Sequence, residues 1–172
     1  MKVCIIGNKE NLDEDYSSQV ASADIVVRIS KMCNYDSGLV GSHTDILYLE
    51  PNWQWAWYSE KRRHIHLFKD IPVIMIRESW WARVGCFLLE NGYVEESQVV
   101  VIPQEVESAY PNFSTLALAV ADMHQRYPGA QISLVAADVG DARLEFLKES
   151  HPFSKEVQYI EDLAEKGILE AL

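Results

Sequence analysis

Apolar, β-branched runs recur along the chain at Val3–Ile6, Asp24–Ile29, Thr44–Leu49, Pro72–Ile76, Gln98–Ile102 and Gln131–Ala136. Several are continuously apolar instead of alternating, the pattern of a strand covered on both faces. Between them the apolar positions take a helical period, over Ser17–Ser22, roughly Trp53–Lys69, Ser79–Asn91, Ser114–Arg126, Leu144–Lys148 and Ser154–Lys166. Gly92 and Pro128-Gly129 stand just past two of these helices as stop signals.

Strands alternating with helices predict a mainly parallel sheet with helices on both faces: one Rossmann-like α/β domain over residues 1–172. No repeat, low-complexity segment or linker interrupts it. At 172 residues and 48% hydrophobic, the chain can bury a core of its own. No apolar run reaches the ~18 residues of a membrane span. Met1-Lys2 leads directly into a strand, without the pattern of a signal peptide. Cys4, Cys33 and Cys86 are odd in number and lack CxxC spacing, so neither a disulfide framework nor a zinc site is expected. These features together predict a cytoplasmic protein with reduced thiols.

The net charge of −11 argues against a nucleic-acid surface, which needs clustered Lys and Arg. It leaves an anionic small ligand open, because a few local cations and backbone amides outweigh a distant field. In open parallel sheets, ligands bind outside the carboxyl ends of the strands. That rule directs attention to Gly7-Asn8 after the first strand and Ser30-Lys31 after the second. It also selects Asn112–Thr115 before the helix that leads into the last strand, Asp138–Asp141 after that strand, and His151 beyond.

Each of these has a structural reading beside the functional one. Gly7 allows a tight turn and close approach to a ligand, and Asn8 can both donate and accept, yet Gly-Asn is also ordinary strand-ending chemistry. Gly7 is followed by Asn8-Lys9-Glu10, so no GxGxxG fingerprint is present. Ser114 is a natural N-cap, and Thr115 adds a second hydroxyl at the dipole's positive end. They serve either as a cap alone or as a cradle for phosphate or sugar. His151 precedes a helix and is the residue type best suited to accept a proton near neutral pH, or it caps that helix.

The aromatic cluster Trp53–Tyr58 fits core or oligomer contact, with a sugar-stacking platform as the other reading. The basic run Lys61–His66 fits a solvated face, and Asp13-Glu14-Asp15 a solvated acidic loop. His43 and His124 have no partners at metal spacing, and no metal or cofactor is expected.

Four segments, in order, resemble the sialyltransferases of glycosyltransferase family 29. Cys4-Ile5-Ile6-Gly7-Asn8, Asp24-Ile25-Val26-Val27-Arg28 and Val40-Gly41-Ser42-His43-Thr44 are similar to its large motif. Pro111–Thr115 through Gln131–Asp138 is similar to its small motif, and His151 with Glu156 to its very small motif.

The resemblance implies inverting, metal-independent transfer of a sialic-acid-like sugar from a CMP-activated or other nucleotide-activated donor to an acceptor hydroxyl. It implies His151 as general base, with Asn8 and the start of the small-motif helix on the donor side; together with the strand-end positions, the candidate donor-binding residues are Gly7, Asn8, Ser30, Asn112, Ser114 and Thr115. The partners expected are a nucleotide sugar and a glycan or other hydroxyl acceptor. Lys9 stands where the motif has Ser, and Ser30-Lys31 where the family has Asn-Arg. Gln131–Asp138 holds no Cys to pair with Cys4, and no third motif lies between Asp138 and His151. These departures describe a minimal, bacterial-type relative. Two other classes stay open: a non-catalytic nucleotide or sugar-phosphate binding module, and a structural protein that self-associates.

Overall fold

The computed structural model describes residues 1–9, 11–30, 32–49, 64–110, 113–137 and 153–171. Their strands are β1 (Lys2–Ile6), β2 (Ile25–Ile29), β3 (Ile46–Tyr48), β4 (Val73–Arg77), β5 (Val99–Ile102), β6 (Gln131–Val135) and β7 (Leu169–Ala171). All pair in parallel, in the order β5-β4-β3-β2-β1-β6-β7. The chain therefore starts near the middle, winds outward to β5, then returns to place β6 on the other side of β1. The expected single α/β sheet is what forms.

The strands sit where the apolar runs predicted, within a residue or two at each end. Alternate side chains of each strand feed opposite faces. Val3 and Ile5 of β1 pack with Val27, Ile29 and Tyr48 against helix α5 (Thr115–Arg126) and helix α6 (Phe153–Glu165). Cys4 and Ile6 point the other way, packing with Val26 against Tyr16 and Val20 of the α1 region (α1, Ser17–Ala21). Leu47, Ile74 and Ile76 use that same second face, against Phe68, Val84 and Leu88. Helices cover both faces, as the unbroken apolar strands require.

Three elements differ from the sequence pattern. The helix expected over Ser79–Asn91 runs as α2 (Glu78–Trp80), a π-helical turn (Trp81–Gly85) and α3 (Cys86–Glu90). A β-carbon on Gly85 would lie 2.3 Å from the Trp81 ring, so the wide turn seats the indole on a bare backbone. Helix α4 (Gln104–Ala109) and strand β7 are additions, both short. The helix expected over Trp53–Lys69 falls largely outside the described residues. Its described end is a 3-10 stretch, Ile65–Asp70. The Leu144–Lys148 helix and the Trp53–Tyr58 cluster lie outside them altogether.

The α5 helix is fastened across the sheet as well as packed on it. Tyr48 of β3 donates from its hydroxyl to Asp122 of α5, and both are fully buried. Arg126, one turn on, places Nε 2.8 Å from both Asp122 oxygens. Desolvation beside the Asp122 carboxylate holds the Tyr48 hydroxyl well above its ordinary range, so it stays a donor.

Two stability predictions follow from the packing. A β-carbon on Gly7 would meet the Ala136 carbonyl oxygen at 2.6 Å and the Ala137 Cα at 2.7 Å. Both are backbone and cannot swing aside, so Gly7→Ala should lower stability by ~1–3 kcal/mol in urea denaturation. Burial pushes the Cys4 thiol from 9.0 up to about 11, with Arg28 pulling the other way. The folded state therefore prefers the neutral thiol. That preference contributes fully below pH 9 and is lost as pH rises to about 11. The urea midpoint should fall across this window, and Cys4→Val should flatten part of the fall, on the order of 2 kcal/mol.

Candidate functional site at the carboxyl edge of the sheet

The strand order reverses between β1 and β6, so the loops that leave these two strands diverge at their carboxyl ends. Such a switch point is where doubly wound sheets open a crevice. Gly7-Asn8-Lys9 leaves β1 there, and Ala136-Ala137 leaves β6. The two loops are laced at their base: the Gly7 N–H donates to Val135 O at 2.9 Å, and the Lys9 N–H to Ala136 O at 3.0 Å. Gly7 is buried against Ala136 and Ala137, so its missing side chain serves loop-to-loop contact at the floor. Asn8, half-buried beside it, has its Oδ1 atom enclosed with no hydrogen-bond partner among the described residues. A buried acceptor without a donor is costly, and here it sits at the switch point.

Backbone strain brackets the same position. The non-glycine residues with positive φ among those described are Ser30 (40°), Met32 (50°) and Ala136 (50°). All three follow β2 or β6, the two strands that flank β1. Such conformations persist only where surrounding structure over-determines them, and they concentrate at functional sites. Ser30 is buried, and its N–H donates to Tyr48 O at 2.7 Å.

Beneath the loops lies Arg28, the fourth residue of β2 and 1% exposed. Its guanidinium donates from Nε to Thr44 Oγ1 at 3.0 Å and from Nη2 to the Val40 and Gly41 carbonyls at 2.9 and 2.6 Å. Nη1 lies 3.5 Å from Asn34 Oδ1, and Tyr35 stacks over the group at 5.2 Å. Asn34 then donates from Nδ2 to the Gly7 and Lys9 carbonyls at 3.0 and 3.2 Å. Burial pulls the Arg28 pKa down to about 10, which still leaves it charged at neutral pH. The Asp-x-Val-x-Arg and Val-Gly-Ser-x-Thr segments are thus joined by one buried side chain, which holds the β1 loop from below. The Lys9 ammonium rises from that loop, 3.5 Å from Asp13 and 37% exposed.

A second polar cluster forms where α5 and α6 begin. Ser114 caps α5, its Oγ accepting from the Ala117 N–H at 3.2 Å. Its own N–H and hydroxyl both donate to the Glu156 carboxylate, at 2.6 and 2.8 Å. Arg77, the last residue of β4, donates from Nη2 to the Phe113 carbonyl. Its Nε is buried with no partner among the described residues. Burial draws the Arg77 pKa below its ordinary value, opposed by Glu107 and Glu156. Thr115, nine-tenths buried, opens the helix.

Gly7, Asn8, Ser30, Ser114 and Thr115 therefore all stand at the carboxyl edge. Asn112, Lys31, Asp138–Asp141 and His151 lie outside the described residues. Arg77 and the capping role of Glu156 were not read from the sequence. An arginine closing the apolar run VIMIR was the available signal for the first.

A cavity of about 350 Å³ occurs elsewhere, lined by Thr44, Ile71 and Pro72 at the amino ends of β3 and β4, with Met32, Tyr35 and His43. His43 Nε2 lies 3.0 Å from Asp45 Oδ1 beside it. The cavity shares Thr44 and Tyr35 with the surroundings of Arg28 but does not include Asn8, and the orphaned acceptor, not the volume, locates the candidate site. Among the described residues no three His, Cys, Asp or Glu groups cluster as metal ligands, and no helix is long and apolar enough to cross a membrane. The three cysteines are free thiols.

The Arg28 node yields a stability test. Arg28→Met would strand the Thr44 hydroxyl, the Asn34 amide and two carbonyls without their donor. It should cost about 2–4 kcal/mol in urea denaturation. Arg28→Lys, which keeps the charge but loses the fork, should fall between it and the unaltered chain.

No family model and no curated protein matches the sequence. Solved structures do match. A mammalian sialyltransferase in complex with Gal-beta-1-3GalNAc-ortho-nitrophenol superposes with a TM-score of 0.72 at 15% identity, covering 99% of this chain and 68% of the other. Monomeric CstII superposes at 0.59 and 16% identity, covering 100% of this chain and 81% of the other. The sialyltransferase CstII from Campylobacter jejuni, in complex with the substrate analogue CMP-3FNeuAc, superposes at 0.57 and 16% identity. That match covers 99% of this chain and 79% of CstII. Over essentially its whole length, the chain has the sialyltransferase fold.

Proposed function

We propose that the chain is a glycosyltransferase that moves a sialic-acid-like sugar from a CMP-linked donor to an acceptor hydroxyl, with inversion. The observation that carries the reading is the enclosed Asn8 Oδ1 at the switch point of the sheet, without a partner among the described residues. An enclosed acceptor calls for a ligand donor group, which a nucleotide supplies through its sugar hydroxyls or base amino group. The fold shared with a sialyltransferase that binds CMP-3FNeuAc supports the choice of CMP.

In this scheme Gly7 and Asn8 seat the nucleotide on the floor laced by Arg28 and Asn34. Ser30 shapes the neighbouring loop. Asn112, Ser114 and Thr115 line the donor from the start of α5, with the Ser114 N–H and hydroxyl held by Glu156 and not offered to phosphate. Lys9 adds a local positive charge beside the departing phosphate. His151 accepts the proton of the acceptor hydroxyl as its oxygen attacks the anomeric carbon. The bond to the phosphate oxygen breaks on the opposite face, CMP leaves with the bonding electrons, and configuration inverts. A histidine, not a metal ion, performs the deprotonation.

A thermal-shift panel of CMP, CDP, UMP and UDP tests binding. CMP at 100 times its dissociation constant should add roughly 2.7 kcal/mol. His151→Ala should then reduce consumption of a CMP-linked donor by roughly 10²–10⁴-fold while CMP affinity stays nearly constant. No response to any nucleotide would refute the donor assignment. Full turnover with a lowered melting temperature would make His151 a helix cap instead.

A further inference from the structure

The cavity of about 350 Å³ at the amino ends of β3 and β4 takes no part in the proposed transfer. It stands at the small end of the ~300–1,000 Å³ that ligand pockets occupy. Its apolar side is made by Met32 and Ile71, both buried, and by half-buried Leu67. Its polar side is Ser42, His43 and Asp70, all exposed. The Asp70 carboxylate makes no hydrogen bond or ion pair among the described residues. His43 donates from Nε2 to Asp45 Oδ1 at 3.0 Å, which leaves Nδ1 as an acceptor in the neutral ring. No lysine or arginine among the described residues lines the space.

A pocket rich in acceptors, with one apolar side, calls for a donor-rich cation on an apolar body. An ammonium group supplies donors only, and its charge complements Asp70. A phosphate or carboxylate would meet Asp70 with no cation to offset the repulsion, so this pocket is opposite in sign to what a nucleotide sugar needs.

Thr44 and Tyr35 tie the cavity to the loop after β1. Thr44 accepts from Arg28 Nε at 3.0 Å, and Tyr35 stacks over the same guanidinium at 5.2 Å. Asn34, next to Tyr35 in the chain, holds the Gly7 and Lys9 carbonyls. Met32 is kept at a φ of 50°, a strained conformation that its surroundings impose. The cavity has its walls only while the 32–44 segment lies against Ile71 and Pro72. Lifting that segment would open the cavity and break the Arg28 and Asn34 bonds together.

We infer that this cavity binds a small organic ammonium compound, and that its occupation stabilises the closed 32–44 segment and, through Arg28 and Asn34, the loop after β1. A ligand that binds only the closed form depletes the open one by mass action. The inference does not depend on the transfer reaction, and none of its readouts is activity.

The probe is phenethylamine, with phenethyl alcohol as its uncharged counterpart, titrated into the full chain and followed by NMR and amide hydrogen exchange. The amine should shift the amide signals of Tyr35, Thr44 and Ile71 along one saturable curve, and the alcohol should bind several-fold more weakly. Asp70→Asn should weaken the amine on the order of fivefold at low salt and leave the alcohol unchanged. Ser42→Trp, a bulky side chain at an exposed position of the rim, should abolish binding without lowering the melting temperature. Asp70→Asn carries the test if that variant does not fold. Near saturation the amine should slow exchange of the Tyr35 and Lys9 N–H groups by about tenfold or more. The absence of a saturable shift at the lining residues overturns the inference. So does equal binding of amine and alcohol, or binding that survives Ser42→Trp. Unaltered exchange at Lys9 overturns the coupling to the loop after β1.

Discussion

The Arg28 guanidinium is a full positive charge at the end of an otherwise apolar strand, with no carboxylate against it among the described residues. Its compensation is entirely from neutral acceptors: a threonine hydroxyl, an amide and two backbone carbonyls. Those acceptors come from the segment that leaves β2 and returns to β3, which must therefore wrap around the charge. Asn34, set in place by the wrap, reaches back to two carbonyls of the β1 loop. A single ionic group thus dictates the path of some fifteen residues and the shape of the floor above them. Apolar packing alone could stabilise β2, but it would not aim Asn34.

The two polar clusters of the carboxyl edge are built by different physics. At the switch point the β1 and β6 loops touch backbone to backbone, which only a glycine at position 7 permits, and strained residues flank the contact. At the start of α5 the work is electrostatic, with Ser114, Glu156 and Arg77 sharing polar partners in a buried setting. The far half of α5 is tied down separately by Tyr48 and Asp122. With its start bonded to α6 and its later turns bonded to β3, this helix has little freedom to slide, and its positive end stays where the sheet presents it.

Much of the fold was legible because β1, β2, β4 and β5 carry runs of consecutive apolar residues, the pattern that a two-faced sheet accommodates. The short elements were not. Helix α4 buries Val106 but has too few residues to display a period, and β7 takes its strand form from pairing with Ile132–Leu134. The candidate site was legible in its positions more than in its reasons. Gly7-Asn8 drew attention as a strand end, but the need for glycine comes from Ala136 and Ala137, nearly 130 residues away in sequence and adjacent only through the β1–β6 pairing. Ser114 was readable as a cap. That its remaining polar groups belong to Glu156 could not be read from spacing, because only the tertiary fold brings positions 114 and 156 together.

The charge balance of the chain bears on the proposed donor. A net charge of −11 opposes an anionic nucleotide sugar at long range. Screening limits that opposition, since charges beyond ~8 Å at physiological salt contribute little. Under the proposed reading, what a bound phosphate would meet is local: the Lys9 ammonium, itself 3.5 Å from Asp13, on a loop whose carbonyls Asn34 holds. Immobility matters as much as sign here. A flexible surface lysine must be ordered on binding, whereas a backbone held by the Ala136 and Asn34 bonds presents its charge from a root that is already fixed. The buried arginines contribute to that rigidity by bonding the loops from beneath. An acidic chain can in this way hold one loop and its single ammonium rigid while the negative charge is spread over the rest of its surface.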